Sequence, residues 1–71
     1  MSSEIQSIVF RKSSGWSSSK AKYWLTRHNY KPLKRVHIIN DQLRYRIKKP
    51  QYRKYYTKNL GNGILLIFGI K

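Results

Sequence analysis

With 71 residues, sixteen lysines and arginines against two acids, and a formal net charge of +14, the chain is long enough for one small core and too short for a two-domain enzyme. A hydrophobic content of 39%, including two tryptophans, six tyrosines and two phenylalanines, excludes a solvated basic tail. The absence of cysteine excludes a disulfide scaffold and a cysteine-based zinc site, so stability must come from packing, and no cofactor is expected.

Residues 1–4 have neither the basic start nor the apolar core of a secretory signal and are expected to be disordered. Residues 5–12 read as a strand, with Ile8 and Phe10 on one face and Val9 on the other, ending at Ser13-Ser14-Gly15. Helix begins at Ser17, whose hydroxyl can cap the first turn while Trp16 packs over Ala21; Ser18 or Ser19 are alternative caps. Ala21, Trp24, Leu25 and His28 form the stripe that meets the sheet, and His28 is expected to be partly buried there. Lys20, Tyr23 and Arg27 share the opposite side. Asn29, able to adopt the left-handed conformation, and the nearby Pro32 end the helix after about three turns.

The clearest pattern is a β-hairpin: residues 34–39, a two-residue turn at Asn40-Asp41, then residues 42–48. That loop length pairs Ile38 with Leu43, Val36 with Tyr45, His37 with Arg44 and Arg35 with Arg46, leaving one face apolar and the other basic. Pro50 closes the strand. Residues 51–58, rich in tyrosine and charge and poor in aliphatics, are expected to be a loop. Gly61-Asn62-Gly63 is a second turn, and the apolar run that follows suits a strand shielded on both faces. That run is far shorter than the roughly 20 residues of a membrane-spanning helix, so no membrane partner is expected and an intracellular or virion-internal location is. The expected fold is a single α+β domain over residues 1–71, β-α-β-β-β, with one helix on an antiparallel sheet.

Three surfaces are candidates for binding an anion. Arg35, His37, Arg44, Arg46 and Lys48 crowd one hairpin face without interleaved acids, an arrangement of like charges that a polyanion would relieve. The helix start, Ser17, Ser18, Ser19 and Lys20, lacks the acids that first turns favour, and its N–H groups and hydroxyls can hold a phosphate or simply cap the helix. Arg27 lies further along the same helix. The run Tyr52-Arg53-Lys54-Tyr55-Tyr56-Thr57-Lys58 interleaves rings and cations, so Tyr55 with Arg53 and Lys54 can stack on bases and track phosphates, or the rings can pad the core edge. For catalysis the inventory is thin: His37 has no nucleophile paired with it, the two acids are far apart, and no enzyme activity is expected.

Trp16 with Lys20-Ala21 and Trp24-Leu25, the run His28-Asn29-Tyr30-Lys31-Pro32, Leu43-Arg44-Tyr45-Arg46-Ile47 before Pro50, and Lys58-Asn59-Leu60-Gly61-Asn62-Gly63-Ile64 with Gly69 together resemble short basic open reading frames of large DNA viruses and some tailed phages. The resemblance spans residues 8–71. It implies a viral origin and a place in the virion or in genome handling, and it brings no catalytic or ligand residues with it.

From the charge pattern, the expected function is non-sequence-specific binding of nucleic acid through phosphates, with duplex DNA favoured and RNA or a single strand as alternatives. A structural virion role, capsid cement with other virion proteins as partners, is the other reading; there the C-terminal strand pairs with a neighbouring chain by edge addition.

Overall fold

The computed structural model describes residues 3–33 and 35–71. Met1, Ser2 and Lys34 lie outside the described residues, and with them the expected disorder of the first two positions and the expected hairpin start at Lys34. Five strands and one helix follow in the order β1 (Ser3–Arg11), α1 (Ser18–Arg27), β2 (His37–Ile39), β3 (Gln42–Arg46), β4 (Lys54–Gly61) and β5 (Ile64–Ile70). The strands form one antiparallel sheet, β2-β3-β1-β5-β4. The α+β class is as the sequence indicates, with one strand more. The ten-residue α1 is the only helix among the described residues besides a single 3-10 turn at Lys12–Ser14, and no helix is long and apolar enough to cross a membrane.

Alternation in β1 sends Ile8 and Phe10 toward the helix and Val9 to the other side. Ile8, Phe10, Leu43, Tyr45, Ile64 and Leu66 from the sheet meet Ala21 and Leu25 of α1 in one buried cluster. Phe10 is its centre, with ring centroids of Trp16, Trp24 and Tyr45 at 4.8, 5.6 and 5.8 Å.

The helix ends are set locally. Ser17, with extended backbone, accepts the Lys20 N–H at 3.3 Å, so the cap is Ser17 rather than Ser18 or Ser19. At the other end Asn29 takes φ +61, the Asn29 N–H reaches the Thr26 carbonyl at 3.1 Å and the Tyr30 N–H reaches that of Leu25 at 2.9 Å. Those two bonds are a Schellman closure. Trp16 packs on Phe10 and its indole N–H donates to the Asn62 carbonyl at 2.7 Å, tying the helix start to the turn before β5. His28 is exposed instead of partly buried. The Leu25 side of the helix turn reaches the sheet, whereas the His28 ring lies flat on Trp24 at 3.9 Å, with Nδ1 bonded to the Trp24 carbonyl.

In the hairpin His37 faces Arg44 and Ile38 faces Leu43, the register a two-residue turn dictates. The expected pairs Val36 with Tyr45 and Arg35 with Arg46 do not form, because β2 is three residues long. The Arg46 carbonyl is taken by the Leu33 N–H at 2.8 Å, and Val36 leaves the ladder to pack against the core. Nor is the hairpin a free ribbon, since β3 also pairs with β1.

Three further expectations are corrected. Ser3 and Glu4 are ordered within β1, paired with Ile70 and Gly69. Residues 51–58 are not a loop, for β4 occupies most of them. An outer strand needs no aliphatics when its residues are all exposed, tyrosine and threonine suit the extended chain, and lysines guard an edge. Consequently β5 is interior, between β1 and β4, and has no free edge with which to join another chain. The hairpin loop places Asn62 and Gly63 at φ 56 and 79, the positive values such a loop requires. Ile64 and Leu66 face the helix, while Leu65 and Ile67 point to the opposite side, half-buried, and among the described residues no second layer covers them.

The chain passes from β3 to β4 across the sheet end through residues 47–53. The Gln6 carbonyl accepts from the Ile47 and Lys48 N–H groups at 2.8 and 3.1 Å, and the Gln6 amide donates to the Lys48 carbonyl at 2.9 Å. A β-bulge between Ile5 and Ser7 frees Gln6 for this role. Tyr52 lies directly on Gly69, where any Cβ would collide with its ring. This explains a glycine within an interior strand.

Candidate nucleic-acid interface

Opposite the helix, the sheet presents a groove of about 1000 Å³. Because side chains alternate, Arg44 and Arg46 of β3, His37 and Ile39 of β2, Ile67 of β5, and Tyr55 and Thr57 of β4 all emerge on this face. Arg35 lines the groove from the segment before β2, Gln6 lines it from the bulge, and Pro50 of the crossing segment borders it. The structure therefore joins the hairpin's basic face to the tyrosine run. The two sides differ: cations stand on the β2-β3 side, Tyr55 and Thr57 on β4, and β1 and β5 lie between. Tyr55 is held at its edge by Tyr52, with ring centroids 5.8 Å apart and nearly perpendicular.

Neither acid reaches the groove's cations. Glu4 is engaged at one end of the sheet by Lys71 at 3.0 Å, Lys48 at 3.3 Å and the Tyr52 hydroxyl at 2.7 Å. Asp41 sits in the β2-β3 turn and accepts the Ser13 N–H at 3.1 Å, and hydrogen bonds from Ser13 hold its carboxyl below the usual range. Among the described residues the only ion pairs are those of Glu4, which leaves the arginines of the groove without a carboxylate. A cleft lined by one sign of charge in this way has a positive potential that attracts anions.

The Glu4 cluster makes folding pH-dependent. The Tyr52 hydroxyl first, then Lys71 and Lys48, lower the Glu4 pKa from 4.5 to about 2, and the same bond raises that of Tyr52 from 10.0 to about 12. A depressed carboxyl pKa means that the ionised form is favoured by folding. Its contribution is complete above about pH 4.5 and disappears as pH falls toward 2. The phenol works in the other direction, contributing below pH 10 and losing its share as pH rises through 12. Acid titration followed by circular dichroism is expected to show wild type losing stability across that lower window, and Glu4→Gln showing a flatter acid limb. Parallel curves would remove Glu4 as the source.

The other sequence candidates are elsewhere. Lys48 is bound to Glu4, in a depression with Lys49, Gln51, Tyr52 and Lys71. Ser18, Ser19, Lys20 and Arg27 belong to the helix layer, on the far side of the sheet from the groove. There Lys20 donates to the Gly15 carbonyl at 3.3 Å, its N–H is capped by Ser17, and the Ser18 carbonyl accepts from the Tyr45 hydroxyl at 3.5 Å. Arg27 donates to the Tyr23 hydroxyl at 3.2 Å and lies over its ring. Arg53 is exposed just before β4 and its N–H reaches the Ile70 carbonyl at 3.0 Å. Lys54, opposite Ile70, projects to the helix side. The sequence reading missed Ile39, Thr57, Ile67 and Gln6. For Ile67 a signal existed: an apolar run with both faces hydrophobic needs two coverings, and a single helix supplies one.

No protein-family model, no curated protein and no solved structure matches this chain.

Proposed function

We propose that this is a nucleic-acid-binding protein that engages phosphates without reading sequence, through the open face of its sheet. The observation that carries the reading is the groove bordered by Arg35, His37, Arg44 and Arg46, into which neither carboxylate of a +14 chain is directed. Guanidinium groups bind phosphate by paired hydrogen bonds and stay charged at any physiological pH. Base-specific amides are scarce beside them, since Gln6 already spends its amide on the Lys48 carbonyl. Phosphate contacts fix position without encoding sequence. The resemblance to short basic viral frames supplies the context we propose, genome organisation or packaging inside an infected cell or virion.

The test is an electrophoretic shift with duplex DNA, single-stranded DNA and duplex RNA of scrambled sequence. Binding to at least one, indifferent to sequence and reduced by Arg44→Ala with Arg46→Ala, is the expected result. No shift at low salt with any of them removes the function.

A virion cement role is favoured by one observation, the outer edge of β4, which pairs with no strand among the described residues and would have to accept a neighbour despite Lys54 and Lys58. It predicts an oligomer that forms without nucleic acid, which size-exclusion chromatography detects directly.

A further inference from the structure

Resting on the nucleic-acid reading, we propose that the groove takes a single strand rather than a duplex, with phosphates on the arginine side and bases on the side of Tyr55 and Ile67. The argument begins with β5. Leu65 and Ile67 are large apolar residues on a sheet face that has no second layer among the described residues. Ile39 adds apolar surface near the arginines, at 37% exposure, and Tyr55 adds a ring at 45%. A binding face that met only phosphate oxygens would gain little from this surface, since anionic oxygens do not pack on apolar side chains. Bases have flat apolar faces, and stacking on aromatic side chains is how single strands are held without sequence preference.

The distribution across the sheet matches one strand of nucleic acid. From β3 to β4 there are three strand spacings, roughly 14 Å, with arginines reaching in from one border and a tyrosine from the other. A nucleotide has the same asymmetry, an anionic edge and an aromatic edge. A duplex turns its phosphates outward and its bases inward, so against this groove it would satisfy the arginines and leave Ile67 and Tyr55 facing water. Nor is there a projecting two-stranded ribbon for a major groove, because β3 is paired on both sides.

Another copy of the chain is the wrong occupant. Face-to-face association would set Arg35, Arg44 and Arg46 of one molecule against those of the other, with no acid between them. The position of Tyr55 is also prepared in advance: Tyr52 rests on Gly69, donates its hydroxyl to Glu4, and meets the Tyr55 ring edge to face. The Tyr55 ring thus has a neighbour before any ligand arrives.

The experiment measures fluorescence anisotropy of labelled twelve-nucleotide probes at one salt concentration: oligo-dT, oligo-dU, oligo-rU, a DNA duplex, and an abasic deoxyribose-phosphate strand of equal charge. The expected order is single strand above both duplex and abasic strand by roughly tenfold, the scale of stacking one or two bases. Tyr55→Ala should erase most of that margin, and Tyr55→Phe should keep it. An abasic strand bound as well as oligo-dT, or a duplex bound as tightly, overturns the single-strand proposal and leaves phosphate binding standing. Failure of every probe to bind overturns both. Should Tyr55→Ala not fold, the oligo-dT to abasic ratio of the wild type still decides. The ratio of oligo-dU to oligo-rU, which differ only in the 2′-hydroxyl, reports whether the strand is DNA or RNA.

Discussion

Raising salt from 50 to 200 mM is expected to weaken binding of a single strand by about a hundredfold, if about five phosphates are neutralised, because each contributes roughly 0.7 to the slope of log affinity against log salt. The effect follows from release of condensed counterions, so it depends on how many cations touch phosphate and not on which sequence is bound. Arg35, Arg44 and Arg46 line the groove and no carboxylate competes for them, so they supply three of the contacts. The double replacement Arg44→Ala with Arg46→Ala should make the slope shallower by roughly 1.4. Lys48→Ala is the control, since that side chain is held by Glu4 at 3.3 Å and should alter the slope least. A slope near zero in the wild type would eliminate the electrostatic mechanism, and an equal change from Lys48→Ala would move the contact surface away from the groove.

Phe10→Ala is expected to cost about 3–5 kcal/mol, the usual loss for a large aromatic removed from a packed interior. Phe10 is fully buried and touches Trp16, Trp24 and Tyr45, so its removal uncouples helix, sheet and the loop between them at once. A domain of this length has a total stability of roughly 4–10 kcal/mol, so this one replacement removes about a third of it at the least. Urea denaturation followed by tryptophan emission is the direct measurement, since both indoles abut the missing ring. A loss below about 1 kcal/mol would mean that the neighbours collapse into the space and that the cluster is not the structural centre.

Local chemistry made the helix and the hairpin turn legible. Ser17 and Asn29 mark the helix ends because each satisfies backbone groups within a few residues of itself, and Asn40-Asp41 sets a register that needs no knowledge of the rest of the chain. β4 was opaque for the opposite reason. Its Lys54-Tyr55-Tyr56-Thr57-Lys58 run is only half of a structure whose other half, β5, supplies every aliphatic residue but Leu60, and edge exposure removes the alternation that identifies strands. The turn at Gly61-Asn62-Gly63 held the missing clue, since a hairpin loop before an apolar strand implies a strand on its other side.

The same limit applies to the candidate interface. Arg44 and Arg46 were identifiable from their place in the hairpin, and so was their shared face with His37. That Tyr55 joins them while Lys20 and Arg27 do not depends on strand order, and strand order is decided by contacts between distant segments. Arg35 illustrates the point from the other side: its expected ladder partner, Arg46, was wrong, yet both residues border the same groove. Arg35 borders it from outside the ladder, which begins at His37.

The sheet also constrains when the protein becomes a protein. Ile8 lies opposite Tyr45 on one side and Leu66 on the other, so the central strand is made first and completed last. During synthesis β1 leaves the ribosome with both edges bare, and the second stays bare until β5 has emerged. Pairings of this span place the chain among slow, β-rich folders, on the scale of roughly milliseconds to seconds. Until then its arginines and lysines are borne by an open chain rather than arranged around a groove, and the face proposed to hold a single strand exists only once the last strand closes the sheet.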